Sequence, residues 1–575
     1  MNPPARSRGR LRRSRHLSYF AHMGAVFLYH DLVGFLLEMS PDIVDLVEAF
    51  TDGADADAVI VRFAGRFGDA DPAEFVDVLV AHYVLVEPDD DDELAGLWPL
   101  VAIKARWNAW RRHHGPAGDR LSLWTAWGER PVRRVELDEV DTALWDAFEG
   151  DTRLSDLRAR FPAERVLGLV RRLVHSDVQA LRLSAMPWSA YAKRPQLAPS
   201  YLTSTMPYPS WVPGQPVPAV AGGPATPSPT GYYQGEVADA DAQFEHQETT
   251  LSHLFRIAHP ALAGRTYGQA LVDGLEQRGA LPAGATLRVL EIGAGLGYVA
   301  RDVLGALRQR GREVEYTIVE LAPALRRAQE ERLAGAAVRW VAGDVLALDL
   351  PVAGFDLVVC NEMVGDLPAR LLTRAELGLP ADGIGEVDPA ALTALGPTGA
   401  LIGELALPVG DMPAEGYLQT GALTLVGKLA GWLAPGGTAV VTEFGHTTQW
   451  PRLSTHLDHP ELSTHFGLLQ HAARAHGLTA TVDFVIDLID LDRDQRGLAT
   501  TRSHWRALTA LLADAGVVVQ KVGYTPDLLD AALAGKVDRA DLGDLRFDRI
   551  EDRLMGLVPH EFRALLARRG PPSDN

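Results

Sequence analysis

The stretch LRVLEIGAGLGYVARDVLGAL, residues 287–307, joins three patterns that together decide the fold. Its first six residues are apolar enough for a buried strand, and its last ten have the apolar spacing of a helix that packs on one face. Three glycines stand between them at alternate positions, Gly293, Gly295 and Gly297. A strand, a glycine turn and a helix in this order predict the first unit of a parallel α/β sheet.

The glycine turn differs from a dinucleotide-binding fingerprint by one residue. That fingerprint needs Gly-x-Gly-x-x-Gly, and Tyr298 stands where its last glycine would be. The observed Glu-x-Gly-x-Gly-x-Gly suits a ligand with an amino acid moiety and an adenosine but no pyrophosphate. Glycines let the backbone approach such a ligand closely. Glu291 is placed to accept a hydrogen bond from its ammonium group, directly or through water.

Polar residues also follow the next strands of the pattern. VEYTIVEL contains Glu320, 23 residues after Gly297, where a carboxylate can bind both hydroxyls of a ribose. VRWVAGD ends in Asp344, which can meet an adenine amino group, and FDLVVC runs into Asn361 and Glu362. A fifth strand, TAVVTEF, follows LAPGG. Because ligands of doubly wound sheets bind at the carboxyl ends of the strands, these residues predict one nucleoside site.

The composition excludes several classes of protein. The chain has 575 residues, a formal net charge of −20 and 47% apolar residues, which rule out wholesale disorder, collagen and coiled coil. At roughly 150 residues per domain the length suggests three or four domains. The acidity disfavours binding of nucleic acid or an anionic membrane through bulk charge. The single cysteine excludes an internal disulfide and a cysteine zinc site, which fits a reducing compartment.

The N-terminal residues 1–16 hold six arginines and no acid. The apolar stretch that follows is interrupted by His22, His30 and Asp31 and has no small-residue cleavage site, so we predict a solvated basic tail rather than a targeting sequence. No run reaches the roughly 18 apolar residues that a membrane span needs. We therefore expect a cytoplasmic protein.

Two compositional breaks divide the chain. Eleven of the 37 prolines lie between Pro187 and Pro229, which favours an extended linker, and the acidic run Asp89–Glu93 predicts another. The predicted parts are a disordered basic tail (1–16), a first module (17–88), a linker (89–118), a second module (119–184), a Pro-rich linker (185–232) and an α/β domain (233–575) with an insertion near 369–417.

The two modules are copies of one another in sequence. Leu46–Phe50 matches Leu144–Phe148 at an offset of 98 residues, and Pro72–Glu74 matches Pro162–Glu164 at an offset of 90. Each copy predicts a strand or two and three short amphipathic helices, the pattern of a small winged-helix-like α+β domain. The third helix of the first copy, within EFVDVLVAHYVLVEP, has no cationic face for phosphates, so DNA binding is disfavoured.

The pair of modules resembles PqqD-type peptide-recognition modules. That resemblance implies that they bind the leader of a ribosomally made precursor peptide as an added strand, by β-augmentation at a sheet edge. The alternative is that the two modules only pack and bind no ligand.

The C-terminal half resembles class I S-adenosylmethionine-dependent methyltransferases. The resemblance implies a Rossmann-like domain with S-adenosyl-L-methionine as its cofactor. Within that class, YTIVELAPALRRAQEERL and the segment from Asn361 to Pro368 resemble the MidA-type methyltransferases, which include the mitochondrial complex I assembly factor that methylates a protein arginine. The residues that the resemblance assigns to the cofactor are Glu291, Gly293, Gly295, Gly297, Glu320, Asp344 and Asn361.

Two features depart from the MidA-type pattern. Gly365 occupies the position of an aspartate in that family, and Asp366 follows one place later. The family's Gly-Asp-Phe-x-Thr-Ser motif before the first strand is replaced by FEHQETTLSHLFRIAHPAL. We therefore expect that substrate recognition has diverged while the cofactor site is kept.

Three residues are candidates for catalysis. Methyl transfer from a sulfonium is an in-line displacement in which the protein supplies alignment and electrostatics. Glu362 can hold a guanidinium acceptor through two charge-assisted hydrogen bonds, with Asp366 as a second carboxylate. The alternative for Glu362 is a structural role in its turn. His465, in the family-like motif Leu-Ser-Thr-His-Phe, is the candidate proton acceptor or orienting residue on the substrate side.

Other residues are assigned structural roles. Six histidines between His446 and His476 lack the spacing of a metal site, so no metal is predicted. Cys360 is interpreted as a small buried residue. The Gly-, Pro- and Ala-rich insertion before Tyr417 is expected to cover the cleft and contact substrate.

The sequence thus predicts a methyltransferase that acts on a peptide or protein, with an arginine or other side-chain nitrogen as acceptor. The N-terminal modules would capture the peptide across the linker, as in the tailoring of a ribosomal-peptide natural product. Two alternatives stay open. One is a small-molecule natural-product methyltransferase whose N-terminal half forms a homodimer, and the other is a non-catalytic assembly factor that binds the cofactor. No nucleic acid or membrane partner is predicted.

Overall fold

A computed structural model of the chain describes most of both halves. The described residues are 9–22, 25–30, 32–33, 35–67, 71–88, 98–104, 109–116, 118–124, 133–174, 178, 180–184, 187, 210–216, 250–381, 383–456, 459–498, 509, 512–513, 516–517, 522–537, 547–550 and 562–571.

The chain divides into two compact units. Unit 1 contains residues 1–222, 499–519 and 530–546, and unit 2 contains the remaining residues. The domain bounds predicted from the sequence, 233–575 among them, stay predictions.

Unit 1 contains both copies of the repeat. Its elements are β1 (Arg10–Arg13), β2 (Leu17–His22), β3 (Ala25–His30), β4 (Leu36–Met39), α1 (Pro41–Glu48), β5 (Ala54–Asp55), α2 (Ala56–Phe63), α3 (Pro72–Ala81), β6 (Leu85–Val86), β7 (Val101–Lys104), β8 (Ala109–Gly115), β9 (Gly118–Trp124), β10 (Arg133–Leu137), α4 (Glu139–Ala147), α5 (Leu154–Leu157), α6 (Ala163–Val174) and β11 (Leu181–Ser184).

The two copies share one order of elements, which confirms the internal repeat. In the first copy β1 pairs with β5 and β6, the strands β2–β3–β4 form an antiparallel sheet, and three helices follow. In the second copy β7 pairs with β11 and forms a bridge to Arg153, and β8–β9–β10 form the corresponding sheet before three helices. Each copy is centred on its own apolar cluster, and the cluster of the second copy also includes Leu32 and Val33 of the first. The winged-helix-like and PqqD-like assignments stay predictions.

Two expectations about linkers and tails in unit 1 are wrong. Residues 10–13 of the arginine-rich tail form β1, where Leu11 and Arg12 are buried, because β1 is the central strand of its small sheet. The stretch 89–118, predicted as a linker, contains β7 and β8, and Leu100–Ile103 are buried in the core of the second copy. The remaining tail residues, 1–8, lie outside the described part of the chain.

Unit 2 is an α/β unit. Its elements are α7 (Leu251–Leu254), α8 (Tyr267–Gln277), β12 (Thr286–Ile292), α9 (Tyr298–Gln309), β13 (Glu313–Glu320), α10 (Pro323–Arg332), β14 (Val338–Ala342), β15 (Phe355–Asn361), β16 (Arg370–Thr373), α11 (Pro389–Ala394), α12 (Pro397–Glu404), β17 (Glu415–Leu418), α13 (Thr420–Trp432), β18 (Leu433–His446), β19 (Leu453–His456), β20 (His459–Leu462), β21 (Thr464–His465), α14 (Phe466–Ala475), β22 (Thr479–Phe484), α15 (Val485–Leu488), β23 (Arg496–Leu498), β24 (Phe547–Arg549) and β25 (Phe562–Arg568). A further helix, α16 (Pro526–Leu533), begins in the unit 2 segment 520–529.

The main sheet of unit 2 has the order β14-β13-β12-β15-β18-β25-β22. Its first five strands are parallel, and β25 runs antiparallel to both of its neighbours. The chain moves outward from β12 in one direction and then crosses to β15 on the other side. The gap between β12 and β15 is therefore the topological switch point. The predicted Rossmann-like α/β fold and its five strands are confirmed.

Both faces of this sheet are buried. Along β15, Leu357 and Val359 belong to the apolar cluster that includes residues of α8 and α9, whereas Val358 and Cys360 belong to the cluster that includes α13 and α14. This alternation is the period of two of a strand, with apolar helices on each side. Cys360 is fully buried, as expected. Among the described residues, no helix has the length and apolar character needed to cross a membrane.

Close packing around α8 gives a direct test of this arrangement. A Cβ added at Gly274 would lie 1.8 Å from the carbonyl oxygen of Leu488, whereas one at Gly305 in α9 would meet nothing within 4 Å. We predict that Gly274→Ala lowers the free energy of unfolding by about 1–3 kcal/mol because of overpacking. Gly305→Ala should leave it unchanged or raise it by up to about 1 kcal/mol. Urea unfolding of both variants measures the difference, and equal stabilities would contradict the packing of α8 on α15.

Candidate functional site

The glycine turn adopts backbone conformations that require glycine. Gly293, Gly295 and Gly297 have φ angles of +68°, +52° and +79°. A Cβ at Gly293 would lie 2.9 Å from Cγ of Met363. A side chain at position 293 would therefore clash with the loop that follows β15. Gly297 is the N-cap residue of α9. The turn therefore exposes backbone at the carboxyl end of β12, as the sequence predicts.

A first cavity of about 130 Å³ lies on one side of this turn. Its apolar walls include Val319, Leu325 and Val345. The predicted site residues in its lining are Gly293, Gly295, Glu320, Asp344, Glu362 and Asp366. Two carboxylates at the ends of neighbouring strands, beside an apolar wall, fit the hydroxyls and the base of a nucleoside.

Glu320 is held in one orientation inside the first cavity. One carboxylate oxygen accepts from the Ala322 N–H at 2.8 Å, and the other accepts from Nε2 of Gln329 at 2.7 Å. Burial raises the pKa of Glu320. Asp344 accepts from the Leu346 N–H at 2.9 Å. Both acids are thus oriented by local backbone donors before any ligand binds.

A second cavity of about 90 Å³ shares Gly293, Gly295 and Glu362 with the first. The other polar residues of its lining come from two places. Glu291 and Asn361 lie on the sheet, and Thr250, Ser252 and His253 belong to the segment before the sheet. That segment replaces the family motif missing from the sequence. Glu362 is the predicted catalytic residue that lies where the two cavities meet.

Asn361 and Glu362 are fixed by a small hydrogen-bond network. Oδ1 of Asn361 accepts from the Tyr267 hydroxyl at 2.7 Å and from Oγ1 of Thr442 at 2.8 Å, which leaves its amide N–H groups for the cavity side. Oε1 of Glu362 accepts from the Ser252 hydroxyl at 3.2 Å and from Nδ2 of Asn361 at 3.4 Å. Glu362 has a φ of +51°, a left-handed conformation that a non-glycine residue adopts at some energetic cost. Such local strain clusters at functional sites.

Glu291 is a buried acid on the wall of the second cavity. It accepts from the Tyr316 hydroxyl at 2.5 Å, and burial raises its pKa to about 7, with a further contribution from the charges of Glu320 and Asp302. A cation bound in the cavity would favour the ionised form of Glu291. This geometry agrees with its predicted role toward an ammonium group.

Two residues of the site were missed by sequence reasoning. Tyr267 is the first residue of α8, which begins with a capping box formed by Thr266 and Gln269. The helix start is visible in the sequence, but the contact of Tyr267 with Asn361 is not, because 94 residues separate the two. Glu443 is buried and accepts from the backbone N–H groups of Gly365 and Phe444, and burial raises its pKa well above the usual value. In the sequence it stands inside the predicted fifth strand, TAVVTEF, with no role assigned to it.

The departure at Gly365 has a steric cause. A Cβ at this position would lie 2.7 Å from the Leu462 carbonyl oxygen and 3.3 Å from the Glu443 carboxylate. An aspartate would therefore clash and add a second buried negative charge. Asp366, one residue later, lines the first cavity instead.

His465 does not join the site. Its Nδ1 accepts from the Leu468 N–H at 3.2 Å, so it caps α14, and its ring packs edge-on against Trp450. Burial lowers its pKa. Neither described cavity lining contains it, and its role as a proton acceptor or orienting residue stays a prediction. Within the described part of the chain, no group of three His, Cys, Asp or Glu side chains could hold a metal ion.

The insertion packs on the sheet rather than over the cavities. β16 and β17 form an antiparallel pair at the two ends of the insertion. Leu372, Ile402 and Met412 join the apolar cluster on one face of the main sheet. The buried Arg374 donates to the carbonyl oxygens of Pro380, Gly383 and Met412, which ties the insertion together. No residue between 369 and 417 appears in either described lining, so the expected cover over the cleft is not observed.

Comparisons with known proteins agree with this geometry. Residues 268–449 match the family model described as "Putative S-adenosyl-L-methionine-dependent methyltransferase". A protein of Mycobacterium tuberculosis (strain H37Rv) described as an uncharacterized methyltransferase is 40% identical over 111 residues, 19% of this chain and 49% of that protein. The chain thus spans about half the length of the curated relatives it matches. For the matched segment, the predictions of a methyltransferase and of S-adenosylmethionine as its cofactor are confirmed.

Solved structures are similar at low identity. A COG1565 superfamily member from Burkholderia thailandensis, bound to S-adenosyl-homocysteine, is 19% identical, with 58% of this chain and 87% of that chain covered and a TM-score of 0.30. Phosphoethanolamine N-methyltransferase 2 of Haemonchus contortus, in complex with S-adenosyl-L-methionine, is 12% identical, with 63% and 62% covered and a TM-score of 0.32. Neither similarity identifies a substrate for this chain.

Cofactor binding should depend on the orientation of Glu320. We predict that Glu320→Gln lowers the affinity for S-adenosylmethionine about tenfold or more, because hydrogen bonds to a charged group contribute roughly 1.5–3 kcal/mol. Isothermal titration calorimetry with the full chain measures this affinity. Glu315→Gln, exposed on the same strand, is the matched control. Equal affinities for the two variants would contradict the assignment of the first cavity.

Glu291 should make stability depend on pH. Its folded-state pKa of about 7 exceeds the ordinary value of 4.5, so the folded state binds more protons between these pH values, and stability falls as pH rises through that window. We predict that the stability of the native chain relative to Glu291→Gln falls by about 3 kcal/mol between pH 4.5 and pH 8. Unfolding midpoints across this range measure the effect, and a difference independent of pH would contradict it.

Proposed function

We propose that this chain is an S-adenosylmethionine-dependent methyltransferase that methylates a cationic side-chain nitrogen of a peptide or protein, with arginine as the preferred acceptor. The observation that supports this most is the position of Glu362. It lies where a cavity suited to a nucleoside meets a second cavity lined by carboxylates, hydroxyls and an amide.

The cofactor would bind across the glycine turn. Glu320 is oriented to accept from ribose hydroxyls, Asp344 from an adenine amino group and Glu291 from the ammonium group of the amino acid moiety. When bound, S-adenosylmethionine supplies an electrophilic methyl group on its sulfonium. The narrow passage formed by Gly293, Gly295 and Glu362 would align an acceptor with that group.

The second cavity favours a cationic acceptor. Its described lining contains Glu291 and Glu362 and neither lysine nor arginine. A guanidinium can donate two parallel hydrogen bonds to a carboxylate, whereas an acidic acceptor would meet like charge. Transfer would form a C–N bond as the methyl group's bond to the sulfonium sulfur breaks, which would leave a thioether as the cofactor product. The acceptor nitrogen would lose a proton, and Glu362 is the carboxylate placed to accept it. Asn361, held by Tyr267 and Thr442, would keep Glu362 oriented during this step.

The repeat in unit 1 supports a peptide substrate. Each copy carries a three-stranded antiparallel sheet whose outer strands offer edges for strand addition. A peptide held there would be presented at raised effective concentration to the methyl-transfer site. Such an enzyme would fit the tailoring of a ribosomally made peptide.

Peptide methylation distinguishes this proposal from its alternatives. Full-length protein is incubated with S-adenosylmethionine and otherwise identical peptides that contain Arg, Lys or Glu, and mass spectrometry follows a gain of one methyl group. We expect transfer to the Arg peptide and a loss of about 10²-fold or more in kcat for Glu362→Gln, because a positioned base contributes at least that much.

One control variant and two contradicting outcomes complete this assay. Glu330→Gln, an exposed change on α10, should keep the native rate. Transfer only to the Glu peptide would contradict the cationic acceptor. Cofactor binding without transfer to any peptide would contradict a peptide methyltransferase.

A further inference from the structure

A short piece of the Pro-rich segment packs on the first copy of the repeat. Ser210 forms an antiparallel bridge with Phe20 on β2, and the Trp211 N–H donates to the Tyr19 carbonyl oxygen at 3.1 Å. The Trp211 side chain is only 7% exposed and belongs to the apolar core of this copy. The expectation of an extended linker throughout 185–232 is therefore wrong for residues 210–216.

The site that receives Trp211 is built around Tyr19 and its ionic partners. The Tyr19 ring lies edge-on to the indole with centroids 6.0 Å apart. The Tyr19 hydroxyl donates to Glu48 at 2.8 Å, and Arg13 contacts the same carboxylate. Apolar side chains of the same cluster, among them Leu28, complete the surroundings. We call the open edge of β2 together with this aromatic site the β2 groove.

The chain turns away directly after Trp211. The Gln215 N–H donates to the Val212 carbonyl oxygen at 3.1 Å, and Gly214 follows Pro213 with a φ of +88°. Proline at the second position and a left-handed glycine at the third are typical of a type II turn. Val212 itself is 56% exposed. Within residues 210–216, the contact described consists of the bridge at Ser210, the backbone hydrogen bond to Tyr19 and the buried Trp211 side chain, as in a short peptide ligand.

The corresponding strand of the second copy is described without an added segment. Its β8 corresponds to β2 in element order, and within the described residues β8 pairs only with β9. The indole N–H of Trp211 is buried and has no hydrogen-bond partner among the described residues. A buried donor without a partner weakens the contact, so an occupant that satisfied or lacked this donor would bind better.

We propose that the β2 groove is a docking site for an extended peptide with a large aromatic side chain, and that Ser210 and Trp211 occupy it as an internal ligand. An external peptide must displace them, so the linker gates access to the first copy of the repeat. This inference extends the proposed function, which has the modules capture a peptide, but the groove itself requires no methyl transfer.

A peptide copied from the chain's own Pro-rich segment can test whether the groove binds peptides, and this test does not require the natural partner. The probe is a fluorescein-labelled peptide with the sequence of residues 207–217, PYPSWVPGQPV. In the native chain Trp211 fills the groove, so only the small fraction of molecules with an open groove can bind the probe, and the apparent affinity falls by that fraction. Trp211→Ala should therefore bind the probe at least tenfold more tightly than the native chain. Val212→Ala, a change at the exposed neighbour, should bind like the native chain. A probe with alanine in place of tryptophan should not bind either protein.

Thermal unfolding is a second measurement, which allows for the lower stability of Trp211→Ala. Trp211→Ala removes a large buried side chain, so its midpoint temperature of unfolding falls. Added unlabelled peptide should raise that midpoint by several degrees through mass action and leave the native chain unchanged. If the peptide binds both proteins equally, binds neither, or leaves the variant's midpoint unchanged, Trp211 is a fixed part of the core and the proposal is overturned. No cofactor is present, so this result is independent of the methyltransferase proposal.

Discussion

The parallel pairing of β12 with β15 is the constraint on which the site depends. It places Ile292 beside Cys360, so that the glycine turn and the Asn361–Glu362 pair leave the sheet at the same point, although Asn361 follows Gly293 by 68 residues. The close approach of Gly293 to Met363 follows from this pairing. A side chain at position 293 would separate the two loops, and the meeting point of the two cavities at Glu362 would be lost.

The electrostatics of unit 2 follow from the same crowding. Glu291, Glu320 and Glu443 are all buried near this edge of the sheet, and burial raises the pKa of each. Their partners are hydroxyls, amides and backbone N–H groups rather than cations. An acidic site satisfied only by neutral donors retains an attraction for a ligand that brings positive charge. A cofactor with an ammonium and a sulfonium, and an acceptor with a guanidinium, both meet that condition.

Local patterns could be predicted from the sequence, and distant contacts could not. The glycine turn, five strands and the acids at their ends are visible because each is fixed by neighbouring residues. β1 was hidden because three of its four residues are arginines, and the long apolar stem of Arg12 allows it to be buried next to Leu11. Tyr267 and Trp211 gave no signal because their partners lie in distant parts of the chain. His465 matched a family-like motif, but its ring nitrogen caps a helix, a role that the motif alone does not reveal.

The central claim is that the two cavities form one ligand site joined at Glu362. A crystal structure of the full chain with S-adenosylhomocysteine tests it most directly. We predict that the ribose hydroxyls bind Glu320, that the adenine lies beside Asp344 and that the sulfur lies next to Glu362. The amino acid end of the ligand should point toward Glu291. A nucleoside bound elsewhere, or one that leaves Glu320 without contact, would contradict it.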